Sequence, residues 1–423
     1  MLKGVDHLSG YILGEHLSHT FSPQIHSLLA DYSYDIKEIA KDSLESFMTS
    51  REFDFLNVTI PYKKEVIKYL TSLSEEVKRI GAVNTIKHTK DGNLVGFNTD
   101  YYGFAYTLDK SQISVEGAKI LVLGSGGASM PVRAVLEDKG AKSIVTISRS
   151  GEDNYENITK HFDANVIINT TPVGMYPSNG ESLVDLSCFP YCCGVVDIVY
   201  NPHKTALMLD AERLGIKCIG GLYMLVAQAK KAAEIFTEQI IDDDIIEKIY
   251  NVISFETSNI VLVGMPGCGK STIGRILAQQ TNKNFFDSDD EFTKVFGITP
   301  ANAIETLGVE KFREMEHKII TELGKNTNCV IATGGGVVTI KENYSPLHQN
   351  GTIIYIERDL EALSTSDRPI SKSIGLEKLY ETRNPLYISF SDFKVTNNKT
   401  ASDTVKKIIK IIKSETSNED TCY

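Results

Sequence analysis

A few charged side chains and two glycine-rich turns carry the chemistry legible in this chain. Asn259-Ile-Val-Leu-Val reads as a strand, and Gly264-Met-Pro-Gly267-Cys268-Gly269-Lys270-Ser271-Thr272 leads from it into a helix over Ile273 to Gln280. That is the GxxxxGK[ST] spacing: backbone amides from Gly264 to Lys270 cradle phosphates, Lys270 reaches their outer oxygens, and the Ser271 hydroxyl sits on Mg2+. Chance produces it on the order of once in a hundred chains of this size, so ATP and Mg2+ are the expected ligands. Asp287-Ser-Asp289-Asp290 follows the apolar pair Phe285-Phe286. Carboxylates at a strand end beside a phosphate loop hold a metal or take a proton from an attacking hydroxyl, although the same residues also make an ordinary helix cap. Arg313 and Glu316, three apart, share a helix face, which is more often a surface salt bridge than a site. Cys329-Val-Ile-Ala-Thr333 then ends in Gly334-Gly335-Gly336, bare backbone that a ligand can approach closely.

The first half has a weaker turn and a stronger cluster. Lys119-Ile-Leu-Val-Leu runs into Gly124-Ser125-Gly126-Gly127-Ala128-Ser129 and a helical stretch to Lys139. A bare GxG arises by chance about twice in a chain this long, but strand, glycine turn and helix together point backbone amides at a phosphate. Two nucleotide sites are therefore expected. Ser148-Arg149-Ser150 closes the next strand, where an arginine accommodates a 2′-phosphate and an acid would take a ribose hydroxyl. This favours NADP(H), against the opposing charge of Glu152 and Asp153. Lys63 stands just past a strand, in Asn57-Val-Thr59-Ile-Pro61-Tyr62-Lys63. A lysine there can deliver a proton to a developing alkoxide, although a lone lysine is usually a solvated surface residue. Its company is Ala82-Val-Asn84-Thr85 and Gly96-Phe-Asn98-Thr99-Asp100, amides and a carboxylate able to grip vicinal hydroxyls, with Asp100 able to pair with the amine.

Elements must hold these groups in place. Strands are expected at Phe55 to Ile60, Ser143 to Ser148, Asn165 to Asn169, Gly194 to Val199 and Ile216 to Ile219, with a helix from His203 to Leu214. The alternation after residue 106 marks a parallel, doubly wound sheet. The fold class is α/β throughout: an N-terminal α/β substrate domain (1–105 and 222–255), a Rossmann-like dinucleotide domain (106–221), and a P-loop kinase-like α/β domain with a parallel sheet (256–423). The stretch from Leu222 to about Phe255 reads as helical, with Asp242-Asp-Asp244 as the cap of its last helix. Only about Glu256 to Asn259 remain as a linker. Ser402 to Lys413 form an amphipathic helix, followed by a loose polar tail from Ser414.

Composition sets the outer limits. The 423 residues, 31 of them glycine and 42% of them apolar, suffice for about three cores and exclude a collagen-like or disordered chain. With 44 Lys+Arg against 55 Asp+Glu, the net charge of −11 argues against a nucleic-acid partner or an anionic membrane surface. Seven cysteines, an odd number without CxxC pairs, point to reduced thiols and a cytoplasmic protein. Cys192-Cys193 reads as small apolar packing ahead of a buried strand. The N-terminal residues show no secretory signal, and no apolar run is long enough to span a membrane.

The second half resembles shikimate kinase from Asn259 to about Lys413, on the phosphate loop, the DxD of Asp287 and Asp289, Phe312-Arg313-Glu-Met-Glu316, the triple glycine, Arg368-Pro369 and Arg383-Asn-Pro385-Leu386-Tyr387. The resemblance implies that Asp289 accepts the ring hydroxyl proton and that Asp287, with Ser271, supports Mg2+. It also implies that Arg313 and Arg383 hold the shikimate carboxylate, Gly335 gives a backbone amide, and Arg368 closes over the transferring phosphoryl group. Where that family often carries another basic residue after Pro-Leu-Tyr, this chain has Ile388-Ser389-Phe390. The first half is similar to shikimate dehydrogenase from about Tyr11 to Phe255, on Ser22-Pro23, NVTIPYK, AVNT, NTD, the Gly124 turn, Asn169-Thr-Thr-Pro172-Val-Gly174-Met175 and Gly221-Leu-Tyr-Met-Leu-Val-Ala-Gln228. By that resemblance Lys63 and Asp100 are the catalytic pair. Thr20, Ser22, Thr59 and Tyr200 contact the substrate carboxylate, and Asn84 and Gln228 its hydroxyls. Thr20 stands where the family usually has serine, which keeps the hydroxyl and adds a methyl. The implied activity is bifunctional: NADPH reduces 3-dehydroshikimate, and ATP phosphorylates the shikimate produced, with these small molecules as partners and a homo-oligomer allowed. The competing readings are a nucleotide-sensing protein without turnover, or quinate or another polyol as substrate in one half.

Overall fold

The computed structural model describes residues 8–17, 20–363 and 375–418. The chain divides into two compact units: Met1–Val173 with Ser182–Tyr200 and Asp210–Ile253, and Gly174–Glu181 with Asn201–Leu209 and Ser254–Tyr423.

The first unit holds two sheets. One is six-stranded and mixed, in the spatial order Ser33–Glu38, Ser9–Gly14, Phe55–Val58, Thr85–His88, Leu94–Phe97, Ser72–Leu73. Phe55–Val58 pairs parallel with Ser9–Gly14 and antiparallel with Thr85–His88. All four residues of Phe55–Val58 are buried, as expected of a central strand covered on both faces. The strand stops short of the expected Ile60 because Thr59 enters a turn, its carbonyl accepting from Tyr62 N at 2.9 Å. The other sheet is five-stranded, in the order Lys217–Ile219, Gly194–Asp197, Val166–Asn169, Lys119–Leu123, Ser143–Ile147, and all its pairings are parallel. Helices Leu222–Thr237 and Asp244–Thr257 follow it, and Asp242 Oδ1 accepts from Asp244 N at 3.0 Å at the entry to the second.

A clamp binds the two sheets' helices within this unit. Arg79 donates through both terminal nitrogens to Asp138, at 2.9 and 2.8 Å, and to the Ala134 carbonyl at 2.9 Å. The Tyr101 hydroxyl donates to the same Asp138 at 2.6 Å. A bidentate guanidinium–carboxylate pair fixes direction as well as distance.

The second unit is built on a five-stranded parallel sheet, Asn284–Asp287, Cys329–Ala332, Asn259–Val263, Gly351–Glu357, Phe393–Thr396. Its central strand, Asn259–Val263, is wholly buried. Only Ser258 separates that strand from helix Asp244–Thr257, so the join is shorter than the sequence suggests. Lys283 lies buried beneath it, donating to the Phe255 and Ser258 carbonyls at 2.5 and 2.8 Å. Burial lowers its pKa to about 8. The last helix, Ala401–Asn418, runs past the expected end at Lys413. With no glycine or proline between Ala401 and Asn418, nothing in the sequence stops it.

The described cysteines are all free. Cys192 is buried, which pushes its thiol up to about 11, but Cys193 is exposed. The expected packing role therefore holds for the first of the pair only.

Candidate active sites

In the first unit the sequence places Asp100 in the opening turn of helix Thr99–Ser111, whose cap is Asn98, with its side chain accepting from Tyr101 N at 3.3 Å. The positive end of the helix favours a carboxylate there. Lys63 Nζ donates to Asp100 Oδ2 at 2.6 Å, and the two side chains are only 16% and 10% exposed. Asp100 Oδ1 accepts from Asn84 Nδ2 at 2.8 Å. Asn84 is in turn fixed by Thr99: its Nδ2 donates to Thr99 Oγ1 at 3.0 Å and its Oδ1 accepts from Thr99 N at 2.7 Å. Behind it, Tyr34 OH donates to Asn57 Oδ1 at 2.7 Å, Asn57 Nδ2 to Thr85 Oγ1 at 3.1 Å, and Thr85 Oγ1 to Asn84 Oδ1 at 3.0 Å. A chain of buried neutral bonds thus ends on the carboxylate that holds the lysine. Asn57, Thr85 and Thr99 are the members that sequence reasoning misses, although NVT, AVNT and NTD contain them.

The carboxylate-gripping group expected at the N-terminus is also brought together in part. Thr20 Oγ1 donates to Ser22 Oγ at 3.0 Å, and Ser22 opens helix Ser22–Leu29. Tyr200, whose pKa burial raises against a hydrogen bond with Thr20, packs its ring 5.6 Å from that of Phe21. Thr59 Cγ2 lies where a side chain at Gly14 would begin, 2.9 Å from an ideal Cβ. Gln228 joins the Asn84–Asp100 network instead, its Oε1 accepting from Thr99 Oγ1 at 3.4 Å.

The glycine turn of the five-stranded sheet approaches the Lys63–Asp100 pair. A Cβ built on Gly127 would lie 3.8 Å from Lys63 Cδ, and one built on Gly126 would meet nothing within 4 Å. Gly124 adopts φ 103°, open to glycine but strained for other residues. Ser129 Oγ closes the turn on the Gly126 carbonyl at 2.7 Å, Ala128 caps the helix behind it, and Ser125 lies between. The open backbone at Gly126 and the helix start after it fit a pyrophosphate. Arg149 is exposed just past strand Ser143–Ile147.

In the second unit Gly264, Gly267 and Gly269 all have positive φ, 147°, 83° and 100°. Lys270 is buried, with Nζ donating to the Gly264 and Met265 carbonyls at 2.8 and 3.0 Å. Cys268 is buried beneath the loop, its carbonyl accepting from Asn397 Nδ2 at 2.8 Å. Ser271 Oγ donates to Asp287 Oδ2 at 2.5 Å, while exposed Thr272 follows on the helix. A hydroxyl and a carboxylate side by side at a phosphate loop are the hard oxygen donors that Mg2+ takes. No cluster of three acidic, histidine or cysteine side chains able to hold a metal unaided occurs among the described residues.

The triple glycine is the centre of the second site. Ideal Cβ atoms at Gly334 would fall 2.9 Å from Glu316 Oε1 and 3.0 Å from Asp289 Oδ1, at Gly335 2.8 Å from the Pro266 ring, and at Gly336 1.7 Å from Arg313 NH2. Each glycine leaves room for a side chain from elsewhere. Arg313 donates to Glu316, and Arg383 NH1 donates to the Gly335 carbonyl at 2.9 Å. Burial, with Arg313 adding like charge, holds Arg383 below its usual pKa despite Tyr387. Arg313 pairs with Glu316 and Arg383 with a backbone carbonyl, so the charge of the second guanidinium stays suited to an anion. The Tyr387 hydroxyl also donates to the Gly335 carbonyl, a positioning role the sequence did not reveal. Ile388, in place of a basic residue, is 53% exposed. Arg368 lies outside the described residues.

Comparison with known proteins follows the same division. The family model described as shikimate dehydrogenase substrate binding domain matches residues 12–86, and that described as shikimate kinase matches residues 266–413. Shikimate dehydrogenase (NADP(+)) of Clostridium beijerinckii is 37% identical over 265 residues, 58% of this chain and 97% of the relative. That of Clostridium perfringens strain 13 is 38% identical over 261 residues, covering 56% and 96%. Among solved structures, a chorismate mutase/shikimate 5-dehydrogenase fusion protein from Clostridium acetobutylicum aligns with a TM-score of 0.56 at 37% identity, covering 59% of this chain and 98% of that one. Shikimate 5-dehydrogenase from Thermus thermophilus, in complex with NADP(H) and shikimate, aligns at 0.53 and 29%, covering 58% and 99%.

Proposed function

Because the chain belongs to the shikimate dehydrogenase family along the stretch these relatives cover, and carries a shikimate kinase domain beyond it, we infer that it performs two successive steps toward aromatic amino acids. The first is NADPH-dependent reduction of 3-dehydroshikimate to shikimate, and the second is ATP-dependent phosphorylation of shikimate at its 3-hydroxyl. The observation that carries the reading is Lys63, ion-paired to Asp100 at 2.6 Å with its stem beside the Gly127 turn.

In the first step the nicotinamide, when bound, supplies a hydride to the ring ketone. The alkoxide so formed takes its proton from Lys63 Nζ, and Asp100, held by Asn84, keeps the amine aimed and compensates its charge. Thr20, Ser22, Thr59 and Tyr200 anchor the ring carboxylate away from the reacting carbon, with Gln228 on a hydroxyl. Asn84 already donates to Thr99 and Asp100, so its main work is to orient Asp100.

In the second step ATP supplies the phosphoryl group and Mg2+ its charge compensation. Arg313 and Arg383 fix the shikimate carboxylate, Gly335 presents backbone to it, and Asp289 takes the hydroxyl proton as the oxygen attacks. Ser271 and Asp287 are the residues that would hold the ion, Lys270 reaches the phosphates, and Arg368 stabilises the transferring charge. Such chemistry needs positioning and charge more than covalent help.

Free thiols support a reducing, cytoplasmic setting, and among the described residues no helix is long and apolar enough to cross a membrane. The test is a single vessel holding the protein, 3-dehydroshikimate, NADPH and ATP. Equimolar loss of NADPH and appearance of ADP, with a 3-phosphorylated product, is the expected result. NADPH oxidation without ADP would remove the second step, and no NADPH oxidation the first.

A further inference from the structure

The adenosine end of a dinucleotide passes between the glycine turn and the end of the second strand of its sheet. That strand end here carries Arg149, followed at once by a turn bearing Glu152 and Asp153. The turn is tied down: Ser148 N donates to the Asp153 carbonyl at 3.2 Å, Asn154 N to Asn157 Oδ1 at 3.0 Å, and Asn157 Nδ2 to the Glu152 carbonyl at 2.9 Å. Two carboxylates therefore remain in the same short segment as the arginine. His161 Nε2 lies 2.8 Å from Asp153 Oδ1 and engages one of them; Glu152 is exposed. A 2′-phosphate carries close to two negative charges at neutral pH, and one guanidinium beside two acids is a poor counterweight.

A second guanidinium faces the strand end from the glycine turn's own helix. Arg133 lies one turn into helix Ser129–Asp138, and its NH1 donates to Thr146 Oγ1 at 2.9 Å. Thr146 is paired in register with Val122, and Gly124 N donates to the Ile147 carbonyl at 2.8 Å, so the glycine turn and the strand end lie level. Thr146 is the last residue but one of strand Ser143–Ile147 and stands three positions before Arg149. Thr146 thus holds the Arg133 fork on the helix side of the strand end. A guanidinium has five N–H donors and this contact uses one.

We propose that Arg133 is a specificity-determining residue for NADP(H), the second cation on the 2′-phosphate, set in place by Thr146. This rests on the reading that the first unit uses NADP(H). The test measures dissociation constants by calorimetry on the full-length protein for NADP+ and NAD+, and for 2′,5′-ADP and 5′-AMP, at fixed ionic strength. Arg133→Ala is expected to weaken NADP+ and 2′,5′-ADP about ten- to a hundredfold, the range of one charge-assisted bond, and to leave NAD+ and 5′-AMP unchanged. Arg133→Lys recovers part of the loss, and Thr146→Val, which frees the fork but keeps its charge, lowers the same ratio by less. Unchanged shikimate phosphorylation shows that the variants are folded in their other half. Equal weakening of both members of each pair, or of neither, overturns the inference while leaving the cofactor reading intact. A wild-type protein that binds NAD+ more tightly than NADP+ overturns both.

Discussion

The two candidate sites are ordered in opposite ways. Around Lys63 the glycine turn leaves open space: a Cβ at Gly126 meets nothing within 4 Å and one at Gly127 only the Lys63 stem at 3.8 Å, and order comes from side chains bonded to one another from Tyr34 through to Asp100. Around Gly334, Gly335 and Gly336 the glycines are the mould, and Glu316, Asp289, Pro266 and Arg313 occupy the space that side chains would otherwise fill. One pocket is held by a hydrogen-bond network, the other by reserved volume. Damage should therefore spread differently in each.

The largest expected contrast is chemical. Lys63→Ala should cut dehydroshikimate reduction by about 10² to 10⁴ and spare phosphorylation, and Asp289→Asn should do the reverse, as read by following NADPH and ADP separately. Equal losses in both activities from either change would mean that the sites are not independent. Next in size is volume. Gly336→Ala places a methyl 1.7 Å from Arg313 NH2, so the Arg313 fork must move, and shikimate KM in the kinase assay should rise by about tenfold or more. Gly126→Ala should leave the urea midpoint unchanged and raise only the KM for NADPH, because its methyl points into space that cofactor must fill. If the two alanines behaved alike, the contrast between network and mould would be wrong. Arg383→Lys keeps the charge and loses the fork, and about a tenfold rise in shikimate KM, without change in the KM for ATP, is expected.

A further contrast concerns acid stability rather than turnover. His26 stacks on Tyr34 at 3.9 Å between ring centroids, and burial lowers its pKa from 6.5 to about 3, with Asn57 opposing the shift. The unfolded chain therefore takes up this proton first, and stability falls as the pH drops from 6.5 toward 3, by up to about 1.4 kcal/mol per pH unit. His26→Phe should flatten the pH dependence of the urea midpoint followed through dehydrogenase activity, and leave that followed through kinase activity unmoved. His203 in the second unit, lowered by burial to about 4, keeps its own slope.

Much of this was legible in the residues. The phosphate loop, the acids at Asp287 and Asp289 and the alternation of strands announce themselves because they are local, and short spacings fix their geometry. The Lys63–Asp100 pair was legible as a pair because motif company raised it above an ordinary lysine. What the sequence withheld depends on distant approach. Nothing near Gly127 says that the Lys63 stem will lie beside it, and nothing near Gly336 says that Arg313 will fill its missing side chain. Tyr387 was visible in a motif, but its bond to the Gly335 carbonyl depends on how helix Leu376–Phe390 crosses the loop. Cys193 misleads because a place next to a buried strand does not by itself bring burial.

Lys283 has a practical consequence for anyone wishing to express the kinase half by itself. Its ammonium, sheltered from water, relies on the carbonyls of Phe255 and Ser258, which precede the first strand of that half. A gene trimmed to begin at Asn259 would remove two of that cation's acceptors and the Phe255 ring over it, leaving the Asn328 amide oxygen at 3.3 Å. The cut must fall upstream of Phe255, inside what looks like the neighbouring enzyme's last helix, for the excised piece to carry its own counterpart to that charge.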